Sequence, residues 1–131
     1  MTDQEALFNY RLRQAEETLQ DAEKLFSTSA TSRSVTNRAY YAVFYATLAL
    51  FLRKGVQLHT SKHAGVIALF DKEFVHKGII DKDYSRILHK LFEARQELDY
   101  KEFIVILPED VEEHIQKAKR FLGYVKKLCE E

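Results

Sequence analysis

The sequence is poor in the residues that interrupt helices or crosslink a chain. Its 131 residues include only four glycines, one proline and one cysteine, Cys129. So few helix-breaking residues leave room for long helices and argue against a many-stranded β fold. The single cysteine excludes an internal disulfide and a zinc site built from cysteines.

Charge of one sign is not in excess either, because 20 Lys and Arg residues balance 20 Asp and Glu residues. A strongly basic domain would have indicated broad phosphate binding. Any contact with nucleic acid is therefore expected to be local and made by a few placed Arg or Lys side chains. The polar segment 1–17 has no signal-peptide pattern, which leads us to expect a cytoplasmic location.

One long apolar segment is present, residues 39–52, which reads AYYAVFYATLALFL. It is 14 residues long and is flanked by Arg38 and Arg53, whereas a membrane span needs roughly 18 or more apolar residues. The segment is therefore predicted to be a helix buried on nearly all sides in a bundle, and no membrane is expected as a partner. Small residues that would let another helix approach closely recur along it: Ala39, Ala42, Ala46 and Ala49.

Apolar stripes with helical spacing predict five helices. We expect them over residues 4–27, 34–54, 61–76, 81–98 and from 108 onward. Ser61 is the predicted N-cap of the third helix, and Gly55 and Gly78 are predicted helix ends. The segment 103–107 (FIVIL) is predicted to be an extended, buried connection. Short connections favour an all-α fold, an antiparallel up-and-down bundle of four to five helices in a single domain, residues 1–131.

Arg95 is the residue that fits a plain bundle least. At about 100° per residue it falls within the apolar stripe of the fourth helix, between Leu91 and Leu98. An Arg on a core-facing stripe needs a partner or a ligand, because charged side chains are almost never fully buried alone. In one interpretation it pairs with Asp99 one turn later and reaches solvent. In the other it is presented to a phosphate.

Arg38 stands directly before the apolar segment, with Tyr41 and Tyr45 on its helix face. An Arg beside a Tyr can bind phosphate and stack on a base. The alternative is a helix-start Arg that packs over aromatic rings and has no ligand.

His59 and His63 have an i,i+4 spacing that metal sites use, but no HExxH pattern surrounds them. No metal is therefore expected. A Gly-rich phosphate loop does not occur in the sequence either, so no cofactor is expected.

Three segments carry a family resemblance, in order along the chain: residues 37–45 (NRAYYAVFY), residues 61–78, and residues 91–100 (LFEARQELDY). Together they resemble the HEPN domains that prokaryotes pair with a minimal nucleotidyltransferase. The resemblance covers nearly the whole chain and implies a helical bundle that forms a homodimer. It also implies a toxin-like protein whose antitoxin is the nucleotidyltransferase, with a metal-independent endoribonuclease site where two copies meet.

The site implied by the resemblance consists of an Arg, a polar neighbour, four to six variable positions and a His. Arg95 and Gln96 match the first two positions, and Tyr100 stands where the His is expected. Tyr45, in the run that starts at Arg38, also stands where related sequences often carry His. An unperturbed Tyr has a pKa near ~10, whereas His can act as a base near neutral pH. Ribonuclease activity is therefore expected to be weakened.

These considerations give one set of predicted site residues. The predicted catalytic residues are Arg95 and Tyr100, and the predicted nucleotide- or RNA-binding residues are Arg38, Tyr41, Tyr45, Gln96 and Asp99. Residues 95 and 100 lie about 140° apart on a straight helix. They share a site only if the helix ends near Leu98 or if a second copy of the chain supplies Tyr100.

Two other interpretations stay open beside the RNA-binding enzyme. In the first, the chain is a non-catalytic dimeric scaffold that docks the nucleotidyltransferase, and Arg95 lies at an interface. In the second, Tyr100 is the acceptor of a nucleotidyl group that the partner transfers.

Overall fold

The computed structural model describes residues 1–101 and 106–131. Its helices are α1 (Asp3–Ser27), α2 (Ser32–Lys54), α3 (His63–Phe70), α4 (Lys82–Tyr100) and α5 (Pro108–Glu130). A π-helical stretch, Asp71–Val75, continues α3. No strand occurs within the two described ranges, so the predicted all-α bundle is confirmed.

The long helices alternate in direction. The side chain of Gln4, at the start of α1, donates a hydrogen bond of 2.7 Å to the carbonyl of Leu52, at the end of α2. Arg33, at the start of α2, donates from Nε to the carbonyl of Leu98, near the end of α4, over 2.8 Å. Helices α1 and α2 are therefore antiparallel, and so are α2 and α4, as the up-and-down prediction requires.

Helix α2 is the central element and packs against α1, α4 and α5. Thr36 Oγ1 and His114 Nδ1 are 3.0 Å apart, which brings the starts of α2 and α5 to the same end of the bundle. The small residues predicted to allow close helix approach are fully buried: Ala39, Ala42, Ala46 and Ala49. None of the described helices combines the length with the apolar character that crossing a membrane requires.

The ends of α2 are set by local signals that the sequence displays. Thr31 is the N-cap, and its side-chain oxygen accepts from the backbone N–H of Ser34. The helix ends at Gly55, whose φ of 72° lies in the left-handed region that favours glycine. The predicted helix end at Gly55 is confirmed, and α2 starts two residues before the predicted position 34.

Other boundaries differ from the predictions. Ser61 is not the N-cap of α3, because the helix begins at His63 and Lys62 precedes it without a side-chain capping bond. Helix α4 continues to Tyr100, two residues past the predicted end at Leu98.

The predicted buried connection over 103–107 falls mostly outside the described residues, which resume at Ile106. Ile106 packs partly against the core. Leu107 is 56% exposed, so the prediction of burial is wrong for Leu107.

Acidification is expected to destabilise the bundle through His114. This side chain is buried, and burial, with a contribution from the nearby Lys90 ammonium, holds its pKa below the usual value. The unfolded chain therefore binds more protons than the folded chain, and folded stability is lost as pH falls below about 6.5. Urea unfolding at about pH 7.5 and about pH 5.5 measures this loss. Between these pH values, the free energy of unfolding should fall less in His114→Gln than in the wild type. An equal fall in both proteins would contradict the assignment of the pH dependence to His114.

Candidate functional site

The side chain of Arg95 lies against an aromatic wall. It sits on α4 between the buried Leu91 and Leu98, and only 19% of its side chain is exposed. Its guanidinium carbon is 5.4 Å from the ring centroid of Tyr40 and 5.2 Å from that of Tyr41. Both tyrosines belong to α2, so the packing of α4 on α2 creates this arrangement.

The hydrogen bonds of Arg95 are incomplete. Its Nε lies 3.3 Å from Asp99 Oδ2, one helical turn away, which makes an ion pair. The Nε atom is nevertheless buried without a hydrogen-bond partner in the described part of the chain. Leaving a buried donor unsatisfied costs about 1–3 kcal/mol. Asp99 therefore balances the charge of Arg95 without completing the hydrogen bonds of its guanidinium.

Arg38 shares the Tyr41 ring with Arg95. Its guanidinium carbon is also 5.2 Å from the Tyr41 centroid. Because both guanidinium carbons are 5.2 Å from the same centroid, the distance between them is at most twice 5.2 Å. Arg38 donates from Nε and an Nη atom to Asn37 Oδ1, over 3.1 and 2.8 Å. The structure thus brings both predicted arginines to one aromatic ring.

A cavity of about 370 Å³ opens between the start of α2 and the end of α4. It is lined by Leu25, Arg33, Ser34, Asn37, Arg38 and Asp99. A larger cavity of about 670 Å³ lies at the start of α1 and the end of α2, and neither Arg38 nor Arg95 lines it. The smaller cavity therefore lies next to Arg38 and to Asp99, the ion-pair partner of Arg95, although Arg95 itself does not line it. It adds Arg33, which the sequence analysis did not select.

His63 is a second residue of this region that the site prediction missed. Its Nδ1 is 2.7 Å from the hydroxyl of Tyr40, and its ring stacks on Phe44 with centroids 4.2 Å apart. Burial, together with the positive charge of Arg95, lowers the pKa of His63, and burial raises the pKa of Tyr40 above its usual value. The signal that could have found His63 is the one that identified Arg95, a polar residue inside an apolar stripe.

The remaining predicted site residues differ in their contacts and exposure. Tyr45 packs beside Tyr41, with ring centroids 5.7 Å apart. Gln96 is exposed on α4. Tyr100 is 79% exposed, and because α4 continues through it, the structure does not bring Tyr100 to Arg95 within one chain. In the described ranges, no three His, Cys, Asp or Glu side chains cluster as they would around a metal ion.

Comparison with known proteins identifies relatives over nearly the full length of the chain. The model of the HEPN domain matches residues 8–128. A Thermotoga maritima protein named "UPF0332 protein" is 40% identical over 131 residues, which are all of this chain and 97% of that protein.

Two archaeal relatives carry a functional name. One Methanocaldococcus jannaschii protein named a "putative toxin" is 39% identical over 119 residues, 89% of this chain and 84% of that protein. Another protein of the same organism and description is 32% identical over 116 residues, 88% of this chain and 77% of that protein.

Proposed function

This chain belongs to the HEPN domain family, and from that premise we propose that it is a toxin-like protein that binds RNA or a nucleotide in the Arg95 cleft, the region formed by Arg95, Arg38, Tyr41 and the adjoining cavity of about 370 Å³. The observation that supports the proposal most strongly is the largely buried guanidinium of Arg95, which lies over the rings of Tyr40 and Tyr41 and whose Nε has no hydrogen-bond partner among the described residues. A guanidinium binds phosphate through two parallel hydrogen bonds.

The surroundings of Arg95 suit single-stranded RNA. Tyr41 offers an aromatic ring, and base stacking on such rings contributes about 1–3 kcal/mol per base. Arg38, at the same ring, is placed to contact a neighbouring phosphate. Contacts from a few arginines agree with the formal net charge of zero, because binding then depends on local placement and not on a broad basic surface.

We further propose metal-independent endoribonuclease activity that needs a homodimer. Within one chain Tyr100 is 79% exposed and, because α4 continues through it, lies about 140° around the helix from Arg95, so a second copy would have to supply it as the proton-transfer group. Light scattering should then give a dimer, and RNA should be cleaved in the presence of EDTA. A monomer that binds RNA without cleaving it would remove the enzymatic part of the proposal and keep the binding part.

The RNA-binding proposal is tested by fluorescence anisotropy with a short labelled single-stranded RNA at several salt concentrations. We expect RNA affinity to fall as the salt concentration rises. The slope of log affinity against log salt should be shallow, because arginines would contact only about two or three phosphates. Absence of binding at low salt would contradict the proposal.

A minimal nucleotidyltransferase is the proposed partner, and Tyr100 is then a candidate acceptor. Its 79% exposure favours this second function, because an acceptor hydroxyl must reach the partner's active site. The phenol oxygen would attack the α-phosphate of ATP, forming a phosphodiester and releasing pyrophosphate and a proton. Intact mass after incubation with partner and ATP should show nucleotidyl addition that Tyr100→Phe abolishes. Tyr10→Phe is the matched control, since Tyr10 is also exposed.

Asp99→Asn is expected to strengthen RNA binding. The carboxylate of Asp99 competes with an incoming phosphate for Arg95, from which it is 3.3 Å away. Ion pairs of this kind contribute about 0.2–1 kcal/mol, so its loss should raise affinity by up to about fivefold. Asp83→Asn is the control, because Asp83 pairs with Arg86 on the exposed side of the same helix. A weaker affinity of Asp99→Asn would show that Asp99 holds Arg95 in its binding position.

A further inference from the structure

The hydrogen bond between Tyr40 and His63 fixes which ring nitrogen of His63 carries the proton. Tyr40 is fully buried, and among the described residues its hydroxyl has only His63 Nδ1 as a partner, at 2.7 Å. A buried hydroxyl proton without an acceptor is costly. The hydroxyl of Tyr40 therefore donates to Nδ1, and in the neutral imidazole the hydrogen then resides on Nε2.

The His63 ring lies beside the two tyrosine rings that face Arg95. The His63 ring lies 5.7 Å from the ring centroids of both Tyr40 and Tyr41, the same two rings that the Arg95 guanidinium covers. His63 is only partly buried. Its Nε2 is not among the buried polar atoms that lack a partner, and no described residue hydrogen-bonds it. Among the described residues, this atom therefore has no hydrogen-bond partner that would compete with a ligand.

We propose that His63 is a binding residue of the Arg95 cleft that donates a hydrogen bond from Nε2 to a phosphate oxygen while the imidazole stays neutral. This inference rests on the proposed function, in which Arg95 holds a phosphate of RNA or of a nucleotide. His63 and Arg95 would then donate to different oxygens of one phosphate, from α3 and α4.

The same geometry argues against His63 as a general base. A base needs a lone pair on the nitrogen that faces the substrate. With Nδ1 accepting from Tyr40, Nε2 has no lone pair to offer, and the other tautomer would leave the buried Tyr40 proton without an acceptor. Protonation is disfavoured as well, because burial and the charge of Arg95 both lower the pKa of His63. A neutral donor is the state that all these contacts support.

Two measurements on the full chain test the inference. The first is a long-range ¹H–¹⁵N NMR spectrum of the wild-type histidines at neutral pH, which distinguishes the Nε2–H tautomer, the Nδ1–H tautomer and the imidazolium. The second is anisotropy titration of a short labelled single-stranded RNA with His63→Ala, Tyr40→Phe, Arg95→Ala and the control His59→Ala, whose His is exposed on the loop before α3.

We expect the Nε2–H tautomer for His63 and a loss of RNA affinity of about 10- to 100-fold in His63→Ala, the range for a hydrogen bond to a charged group such as phosphate. Tyr40→Phe keeps the aromatic ring but no longer fixes the tautomer of His63, so its loss of RNA affinity should be smaller than that of His63→Ala. A His63 that is charged or carries its proton on Nδ1 overturns the inference, and that result does not depend on any variant folding. If Arg95→Ala weakens binding while His63→Ala matches His59→Ala, the inference fails and the proposed function survives. If neither variant weakens binding, the proposed function fails.

Discussion

Arg95→Ala is expected to weaken the binding of single-stranded RNA by about 10- to 100-fold. Hydrogen bonds to charged groups contribute about 1.5–3 kcal/mol, and this variant removes the guanidinium that would make them. Arg95→Lys should lose most of the same affinity, because a lysine ammonium acts as a point charge and cannot form two parallel hydrogen bonds with a phosphate. Anisotropy titration of the three proteins side by side measures the effect.

The fold should tolerate Arg95→Ala. The side chain contributes cation–π contacts of about 0.5–1 kcal/mol, and its loss also removes an unsatisfied buried donor. A melting temperature lower by a few degrees is expected. Arg86→Ala is the matched control, because Arg86 lies on the same helix with an exposed side chain. If Arg95→Ala melts far lower and binds RNA as the wild type does, Arg95 is a structural residue, as the scaffold interpretation requires.

Tyr41→Ala should weaken RNA binding by about 5- to 100-fold. The variant removes the ring on which both Arg38 and Arg95 are placed, and with it the surface for base stacking, which contributes about 1–3 kcal/mol per base. Tyr41→Phe retains the ring and should bind within about twofold of the wild type. An affinity of Tyr41→Ala close to that of Tyr41→Phe would mean that no base stacks here.

The helices could be predicted because apolar residues recur along each of them at the three- and four-residue spacing of a helix. In α5, the apolar residues that recur every three or four positions are all buried: Val111, Ile115, Ala118, Leu122, Val125 and Cys129. Helix α2 could be predicted to be central because it is apolar on nearly all sides. The end of α4 could not be placed, since the sequence offers no Gly or Pro between Leu98 and Pro108 to stop the helix.

The site could be predicted only in part, for a related reason. Arg95 is conspicuous from periodicity alone, because a charge within an apolar stripe needs a partner. The contact between Tyr40 and His63 joins residues 23 positions apart, and the stacking of Arg95 on Tyr40 joins α4 to α2. Such contacts depend on how helices pack, which periodicity within one helix does not specify. The site residues predicted from the resemblance remain proposals.

The central claim, that the Arg95 cleft holds an RNA phosphate, is tested most directly by NMR of the arginine Nε–H groups during titration with single-stranded RNA. Arg95 Nε lies 3.3 Å from Asp99 Oδ2 and has no hydrogen-bond partner among the described residues of the free protein, so its resonance should move strongly when the guanidinium binds a phosphate. The resonance of Arg38 should move with it, and that of Arg11, which lines the larger cavity at the start of α1, should stay in place. An unmoved Arg95 resonance with a shifted Arg11 resonance would contradict the account and place RNA binding at the other end of the bundle.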